Sequence, residues 1–242
     1  MKKIIATVVQ MIFTLTMYFV GIVVMGVSVF PGAMMVYKVF SATAGWDIPL
    51  RIFVCCLSGF TAYFIYGFCL IWVVAILRVL LGLTLKEGEY KVPSLGAAKW
   101  AFTNALVLIV SITFMDFMLL TPLASLFYRL MGAKLGSNVQ INSKNCADLS
   151  LLEIGDNAVI GGHATVIGHS FERGHLILRK VVIGPNVVVG LNSVVLPGSV
   201  LGKRSVLAAG AILPKNTEVE DQDVYFGIPA RSIKEKAEEQ KN

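Results

Sequence analysis

All three histidines of the chain fall within one short stretch, at His163, His169 and His175. An unperturbed imidazole titrates near pH 6.5, so each of them can take up and return a proton close to neutral pH. Two charged residues, Glu172 and Arg173, lie between the last two histidines. A carboxylate can orient an imidazole, and a guanidinium can hold an anionic substrate. This stretch is therefore the first candidate for an active site, with solvated loop charges as the alternative for Glu172 and Arg173.

The histidine stretch interrupts a six-residue periodicity that extends from Leu135 to Leu213. An aliphatic residue opens each hexad, glycine is often second, and the fifth residue is usually small. The hexads are LGSNVQ, INSKNC, IGDNAV, IGGHAT and VIGHSF before a slip of phase near 170–176, and ILRKVV (from Ile177), IGPNVV, VGLNSV, VLPGSV, LGKRSV, LAAGAI and LPKNTE after it. Three hexads predict one triangular turn of a solenoid, with aliphatic residues along its axis and successive turns about 4.8 Å apart. His169 then lies where a loop leaves the solenoid, and such excursions commonly carry function.

This repeat resembles the hexapeptide-repeat transferase family over residues 135–233. The segment FGIPARSIKEK, from Phe226, is similar to the family's G-x-P-A-[RK] ending and terminal helix. The segments YRLMGAKLGSNV, IGHSFERGHL and VVLPGS resemble the membrane-anchored branch, which includes terminal domains of some non-ribosomal peptide synthetases. That branch typically has an H-x-F-E-D-R loop, whose Asp is missing here. The resemblance implies a left-handed parallel β-helix, a homotrimer, and an acyl-CoA or acyl carrier protein donor.

The resemblance also suggests what individual residues do. His169 is expected to be the general base, with His175 as the next candidate and Glu172 orienting the imidazole or binding the acceptor. Arg173 would hold an anionic substrate. Backbone N–H groups at glycine corners would stabilise the thioester oxygen, and basic residues on later turns would meet coenzyme A phosphates. The residues assigned in this way to the donor are Gly190, Gly210, Lys203, Arg204 and Lys215. Plain exposed charge is the alternative for the three basic ones.

The first half of the chain is apolar, with segments lacking Asp, Glu, Lys and Arg at 4–37, 52–77 and 100–115. A membrane span needs about 20 apolar residues. We predict a first span that ends at Pro31, a turn with an interfacial stretch over 31–50, and a second span over 52–77.

The third apolar region, 101–130, contains Asn104, Asp116 and Pro122. It is either one tilted span or a broken hairpin that turns near Asp116. Asp116 is a candidate for substrate binding because intramembrane carboxylates are usually functional. The alternative is a residue at a helix break near the interface.

Three domains follow: a membrane domain over 1–131, a solenoid over 132–229 and a C-terminal helix over 230–242. The net charge is +6, and most of the excess lies in the membrane part, where basic residues meet anionic lipid headgroups. The sequence has no basic stripe with interleaved aromatic residues, so it gives no sign of nucleic-acid binding.

Basic residues near the start and in the 82–99 loop favour a cytoplasmic position for the N-terminus and for this loop. A broken hairpin returns the solenoid to the cytoplasm, where coenzyme A thioesters occur, and we favour it over a single span.

The leading hypothesis is a bacterial inner-membrane acyltransferase that acylates a hydroxyl or amine of a membrane-associated acceptor. Two alternatives remain open. A metal lyase similar to γ-carbonic anhydrases would need three histidines on separate turns, and these three lie too close in sequence. A non-enzymatic trimeric scaffold would recruit a biosynthetic synthetase. The four cysteines form no CxxC motif, so we expect packing residues and no metal, with a catalytic Cys146 as the minor alternative.

Overall fold

The computed structural model describes residues 2–234 and begins with a helical half. The helices are α1 (Lys2–Ala42), α2 (Ile48–Leu80), α3 (Leu95–Thr113) and α4 (Pro122–Leu130), with a 3-10 helix at Met115–Phe117 between α3 and α4. Within the described residues, α1, α2 and α3 are each long and apolar enough to cross a membrane. The length and composition of these three helices are consistent with membrane association of the first half of the chain.

Helix α1 does not end at Pro31, and the turn predicted over 31–50 is wrong. The helix continues to Ala42, and residues 43–47 alone connect it to α2. Proline is tolerated inside apolar helices when a neighbouring helix supports the backbone. Here α1 packs closely on α2 beside the proline, since a Cβ added to Gly32 would lie 2.8 Å from the Ala62 carbonyl oxygen.

The third apolar region is broken, as one of the two sequence-based alternatives predicted. Helix α3 ends at Thr113, and α4 begins at Pro122. The new start has a local cause: the Thr121 hydroxyl accepts a hydrogen bond from the Leu123 N–H at 3.2 Å, and proline is favoured at the first helical position.

Short strands make up the second half of the chain, and one more, β1, lies between α2 and α3. They are β1 (Gly88–Lys91), β2 (Lys134–Leu135), β3 (Gln140–Ile141), β4 (Leu152–Ile154), β5 (Val159–Ile160), β6 (Thr165–Val166), β7 (His169–Glu172), β8 (His175–Leu178), β9 (Val181–Ile183), β10 (Val188–Val189), β11 (Val194–Val195), β12 (Val200–Leu201), β13 (Val206–Leu207), β14 (Ile212–Leu213), β15 (Glu218–Val219), β16 (Val224–Phe226) and β17 (Arg231–Ser232).

Apart from β1, β7, β8 and β17, these strands form three parallel sheets that the chain visits in rotation. We call this unit the β-stack. Its first face holds β2, β4, β9, β12 and β15, its second face β3, β5, β10, β13 and β16, and its third face β6, β11 and β14. Cys146 joins the third face through a bridge to Val166. The chain therefore climbs the β-stack one three-sided turn at a time.

The regular turns contain eighteen residues, which is three hexads. Val188 pairs with Val206, and Val200 pairs with Glu218. The aliphatic residues that open the hexads point inward and are buried, as predicted: Leu135, Ile141, Ile154, Ile160, Val166, Ile183, Val189, Val195, Leu201, Leu207 and Leu213. The fourth position turns the corner with positive φ, which asparagine tolerates better than most residues: Asn138, Asn157, Asn186, Asn192 and Asn216. The hexad pattern therefore reports both the core and the corners.

One predicted hexad does not begin in the β-stack, although its last two residues, Val181 and Val182, belong to β9. Ile177 lies in β8, where its neighbours Leu176 and Leu178 are the buried residues. Strands β7 and β8 form an antiparallel hairpin outside the β-stack. Val159 consequently pairs with Val188, 29 residues later, instead of 18. The sequence-based assignment was mistaken because Ile177, in the strand β8, lies six residues before Ile183, which is the spacing expected between the first residues of two hexads.

The last strand of the β-stack, β16, pairs antiparallel with β17. The Ser232 hydroxyl there donates to the Asp223 carboxylate at 2.6 Å. The C-terminal helix predicted over 230–242 thus starts no earlier than the end of β17, and residues 235–242 lie outside the described part of the chain.

Glu153 on the first face bridges two lysines, Lys134 at 2.9 Å and Lys180 at 3.0 Å. Hydrogen bonds from Lys134 and then Lys180 hold the pKa of Glu153 below its usual value. The stabilisation is therefore present above the unfolded pKa and disappears as the pH falls through the lowered folded pKa. We expect Glu153→Gln to lose about 0.5–1 kcal/mol of unfolding free energy at pH 7 in detergent, a modest value because solvent screens the pair.

The difference between Glu153→Gln and the native chain should shrink as the pH falls from 7 and vanish only below the lowered folded pKa of Glu153, where the native carboxyl is protonated too. Thermal unfolding followed over this pH range measures it. Glu218→Gln, on the same face at β15, is the matched control. A difference that persists undiminished at low pH would contradict the ion-pair explanation.

Candidate active site

Two interruptions of the β-stack meet at the corner between its third and first faces. The β7–β8 hairpin leaves the stack there after β6. One turn earlier, residues 147–151 replace the regular corner with a 3-10 helix at Leu149–Leu151. Asp148 precedes this helix with a positive φ of 56°. The two irregular segments are adjacent because successive turns stack directly on each other.

This corner brings Asp148 and His169 together. The Asp148 Oδ2 atom lies 2.6 Å from the His169 Nδ1 atom. The Asp148 side chain is 0% exposed, and the His169 side chain is 23% exposed. An ionised carboxylate only accepts hydrogen bonds, so Nδ1 carries the proton. The Nε2 atom is thereby left as the basic nitrogen, which is the arrangement that a general base requires.

The Asp148 carboxylate accepts further hydrogen bonds. The Gly168 N–H donates to Oδ2 at 2.9 Å. Trp100 Nε1 and Asn104 Nδ2, both from α3, donate to Oδ1 at 2.7 and 2.9 Å. Asn104 Oδ1 also accepts from the Asp148 N–H at 3.1 Å. A buried charge is stable only when it is paired and hydrogen-bonded, and these donors meet that requirement.

An apolar helix therefore forms part of this site. Trp100 and Asn104 lie four residues apart in α3, so their side chains share one face of the helix. Asn104 was visible in the sequence as a polar interruption of an apolar segment, and its partner in the β-stack explains why it is there.

Aromatic rings surround the imidazole. The Trp100 ring centroid lies 4.8 Å from that of His169 and 5.3 Å from that of Phe171, in edge-to-face geometry. Phe171 is 57% exposed. The basic nitrogen of His169 is thus bordered by an apolar, partly exposed wall.

The β7–β8 hairpin is held to the helical half by β1, from the loop between α2 and α3. Lys91 of β1 pairs with His175 of β8, and the Val92 N–H donates to the Gly174 carbonyl at 3.0 Å. Arg173 and Gly174 form the hairpin turn with φ of 47° and 80°. Positive φ at both central residues suits a two-residue hairpin turn. Arg173 is exposed at this tip.

His175 is not part of the pair formed by His169 and Asp148. In the hairpin His169 pairs with Leu178, and Glu172 pairs with His175. His175 therefore lies three residue pairs away, about 10 Å along the strand. It is exposed, and its Nδ1 atom lies 3.2 Å from the Arg173 carbonyl oxygen. The structure does not support His175 as a second base.

Glu172 does not orient the imidazole, because Asp148 occupies that position. Glu172 instead forms an ion pair with Lys215, and the Ser170 hydroxyl donates to it at 3.0 Å. The hydrogen bond from Lys215, followed by that from Ser170, lowers the pKa of Glu172. Lys215 therefore holds the β7–β8 hairpin against a later turn of the β-stack.

Residues 180–215 match the family model described as the hexapeptide repeat of succinyl-transferase. This segment is a hexapeptide repeat. Among solved structures, the chain is similar to a hexapeptide-repeat-containing acetyltransferase from Vibrio cholerae O1 biovar eltor complexed with acetyl-CoA, with 19% identity, a TM-score of 0.48 and coverage of 63% of this chain and 96% of that one.

The chain is also similar to a galactoside acetyltransferase in complex with coenzyme A, with 19% identity, a TM-score of 0.47 and coverage of 66% and 89%. A maltose O-acetyltransferase from Clostridium difficile 630 shows 17% identity, a TM-score of 0.46 and coverage of 62% and 93%. No curated protein sequence matches the chain.

The hexapeptide repeat places the remaining donor-site candidates on other corners. Lys203 and Arg204 lie between the first and second faces, and Gly190 and Gly210 between the second and third. The two glycine N–H groups are already engaged, because Gly190 donates to the Leu207 carbonyl and Gly210 to the Leu191 carbonyl, each at 2.8 Å. These hydrogen bonds between turns compete with a role for the two N–H groups as oxyanion donors, which stays a prediction.

Asp116 is not a buried intramembrane carboxylate. It lies in the 3-10 helix after α3, its side chain is 63% exposed, and it forms an ion pair with Lys144 of the β-stack at 2.7 Å. The helix-break alternative describes it better than substrate binding does, because the chain leaves the apolar segment at this point.

Cys146 is buried in the β-stack. Burial raises the pKa of its thiol to about 11, which leaves it protonated at neutral pH.

Among residues 2–234, no three His, Cys, Asp or Glu side chains converge on a possible metal position. His163 is exposed at a corner between the second and third faces, apart from His169.

Asp148 and Trp100 were missed by sequence reasoning. A usable signal existed for Asp148, since it is one of the two acidic residues, with Glu153, in the irregular stretch between two hexads, and His169 marks the second irregularity. For Trp100 no local pattern indicated a polar contact.

Proposed function

We propose that this chain is a membrane-bound acyltransferase in which His169 is the general base and Asp148 orients it. The observation that carries the proposal is the 2.6 Å contact between His169 Nδ1 and the fully buried carboxylate of Asp148. A base needs a fixed tautomer and an accessible second nitrogen, and this pair provides both. The donor is an acyl-CoA or an acyl carrier protein thioester.

The reaction follows from the position of the proton. His169 Nε2 removes a proton from the acceptor hydroxyl or amine while the acceptor oxygen or nitrogen attacks the thioester carbonyl carbon. The carbon–sulfur bond then breaks, and the thiolate leaves with the proton that the imidazolium returns. Asp148 stabilises the imidazolium formed between these two steps, as a buried carboxylate does in triad chemistry. No covalent acyl-enzyme is needed.

The β-stack is proposed to be a left-handed solenoid that assembles as a homotrimer. Outward-facing aliphatic residues support the assembly, since on the second face they form a column at Val159, Val188, Val206 and Val224. Val188 is 40% exposed in the single chain. In a trimer, Lys203 and Arg204 of a neighbouring subunit would supply the charges that meet coenzyme A phosphates.

The acceptor is proposed to be membrane-associated, with the β-stack in the cytoplasm, where coenzyme A thioesters are made. Direct contact between Trp100 of an apolar helix and the His169 ring supports this, because it places the base next to the membrane-embedded half. The exposed Phe171 ring extends the same apolar wall.

The test uses the full chain reconstituted in vesicles of bacterial phospholipid extract that carry the native lipid-linked acceptors. With radiolabelled acetyl-CoA, we expect thiol release and transfer of label into the solvent-extractable lipid fraction. Vesicles of synthetic phosphatidylcholine, which lack such acceptors, are the control and should show only background release. Absence of both acetyl-CoA binding and thiol release in the extract vesicles would refute the acyltransferase proposal.

A further inference from the structure

Helix α3 contacts the first turn of the β-stack at both of its ends. Near the start of the helix, Trp100 Nε1 donates to the Asp148 carboxylate at 2.7 Å. Just beyond its end, Asp116 pairs with Lys144 at 2.7 Å, and the Leu120 N–H donates to the Ile141 carbonyl at 2.9 Å. The helix therefore lies along the base of the β-stack, from one corner to another.

The first turn of the β-stack cannot lie within hydrocarbon. Its outward side chains include Lys134, which is 74% exposed, and Lys144, which is 37% exposed. Ionised side chains are strongly disfavoured at the bilayer centre. Both ends of α3 are thus held at the polar side of the membrane, because both are bonded to this turn.

A crossing helix would have its ends on opposite sides. Nineteen residues of α-helix extend over about 28 Å, close to the thickness of the hydrocarbon core at about 30 Å. Such a helix cannot cross and also keep both ends on one polar turn. We propose that α3 lies in the plane of the membrane surface, beneath the β-stack, and does not cross the bilayer.

The two sides of α3 suit this position. Residues toward the protein are buried, including Leu106, Val107 and Val110. Residues on the other side are exposed and apolar, with Leu108 at 57% and Ile112 at 69%. Helix α1 packs beside α3, since a Cβ added to Gly21 would lie 3.7 Å from the Ile109 Cδ1 atom. The acyl chains of the nearer leaflet are the occupant that this charge-free surface fits, as for interfacial helices.

An in-plane α3 determines on which side of the membrane the β-stack lies relative to the N-terminus, and this conclusion does not use the proposed chemistry. Helices α1 and α2 form an antiparallel hairpin, shown by the contacts of Gly32 with Ala62 and of Arg51 with the Phe40 ring. A hairpin begins and ends on the same side of a membrane. With α3 in the surface plane, the N-terminus and the β-stack are on the same side, and the His169 site opens at the level of the lipid headgroups.

The test measures the depth of three exposed positions on α3 in the reconstituted full chain. In a background where the four cysteines are replaced, Leu95→Cys, Leu108→Cys and Ile112→Cys each carry a fluorophore, and lipids with quenchers at graded depths report its position. Leu95 and Ile112 are 90% and 69% exposed and lie about 25 Å apart along the helix axis. Lys203→Cys, exposed on the β-stack, is the aqueous control.

We expect Leu108 and Ile112, about 40° apart around the helix axis, to lie at one shallow depth. Leu95 is about 140° around the axis from Leu108, so its depth should differ from theirs by no more than the helix diameter of about 10 Å. A steady change in depth from Leu95 through Leu108 to Ile112, totalling about 25 Å, would overturn the proposal in favour of a crossing helix. A common depth at the bilayer centre would also overturn it. Neither result depends on catalysis, so this test can fail while the acyltransferase proposal stands, and the reverse is also true.

Discussion

Replacing His169 with alanine is expected to lower kcat for acyl transfer by about 10²–10⁴-fold, the contribution typical of a positioned general base. Without the imidazole, the acceptor hydroxyl or amine must lose its proton to solvent while it attacks the thioester. Binding of acetyl-CoA should change little, because the imidazole serves the proton transfer and not the donor phosphates. The measurements are thiol release in phospholipid-extract vesicles and direct acetyl-CoA binding.

The protein should remain folded in this variant, since the His169 side chain is partly exposed and only one hydrogen bond to Asp148 is lost. His163→Ala is the matched control, because His163 is exposed at another corner of the hexapeptide repeat, and it should keep nearly native turnover. If His169→Ala retains native turnover, or the native chain shows membrane recruitment of a partner without turnover, the scaffold hypothesis gains over catalysis.

Replacing Asp148 with asparagine is expected to lower kcat by about 10³–10⁴-fold while leaving the fold in place. The amide keeps the shape of the carboxylate but cannot accept from all four donors that surround it. If its NH₂ group faces His169, Nδ1 must become the acceptor and the proton moves to Nε2. That tautomer has no basic nitrogen facing the substrate. The imidazole nitrogen chemical shifts, measured by NMR on histidine-labelled protein, should report this exchange of protonated nitrogen.

Asp148→Ala should in addition destabilise the chain by about 3 kcal/mol or more, because removing one partner of a buried, hydrogen-bonded charge leaves the donors unsatisfied. Those donors are Trp100 Nε1, Asn104 Nδ2 and the Gly168 N–H. Thermal unfolding in detergent measures the loss. Trp100→Phe, which removes one donor and keeps an aromatic ring, is the graded comparison and should cost less. A native pH–rate profile and native imidazole shifts in Asp148→Asn would show that Asp148 is structural only.

The repeat and its interruptions were readable from local sequence. The aliphatic residues that open the hexads, such as Ile183 and Leu201, are buried as predicted. Their inward orientation depends only on the six-residue period. The interruption of the six-residue period near residues 170–176 was the feature that singled out His169 as a candidate site residue. The same local reasoning failed at Ile177, since a strand of the β7–β8 hairpin carries the same spacing of aliphatic residues. It also failed at Pro31, where packing against α2 overrides the tendency of proline to end a helix.

The partners of His169 come from parts of the chain that sequence spacing does not connect. Asp148 lies on the preceding turn, 21 residues away, and becomes adjacent only because an irregular corner and the hairpin stack on each other. Trp100 and Asn104 lie still earlier, in a helix whose composition indicates only an apolar environment. Periodicity describes what each residue does within its own element. Which elements meet depends on the three-dimensional path of the chain. His169 could therefore be chosen as the candidate base from the sequence, whereas Asp148 and the α3 donors around it became visible only in the folded structure.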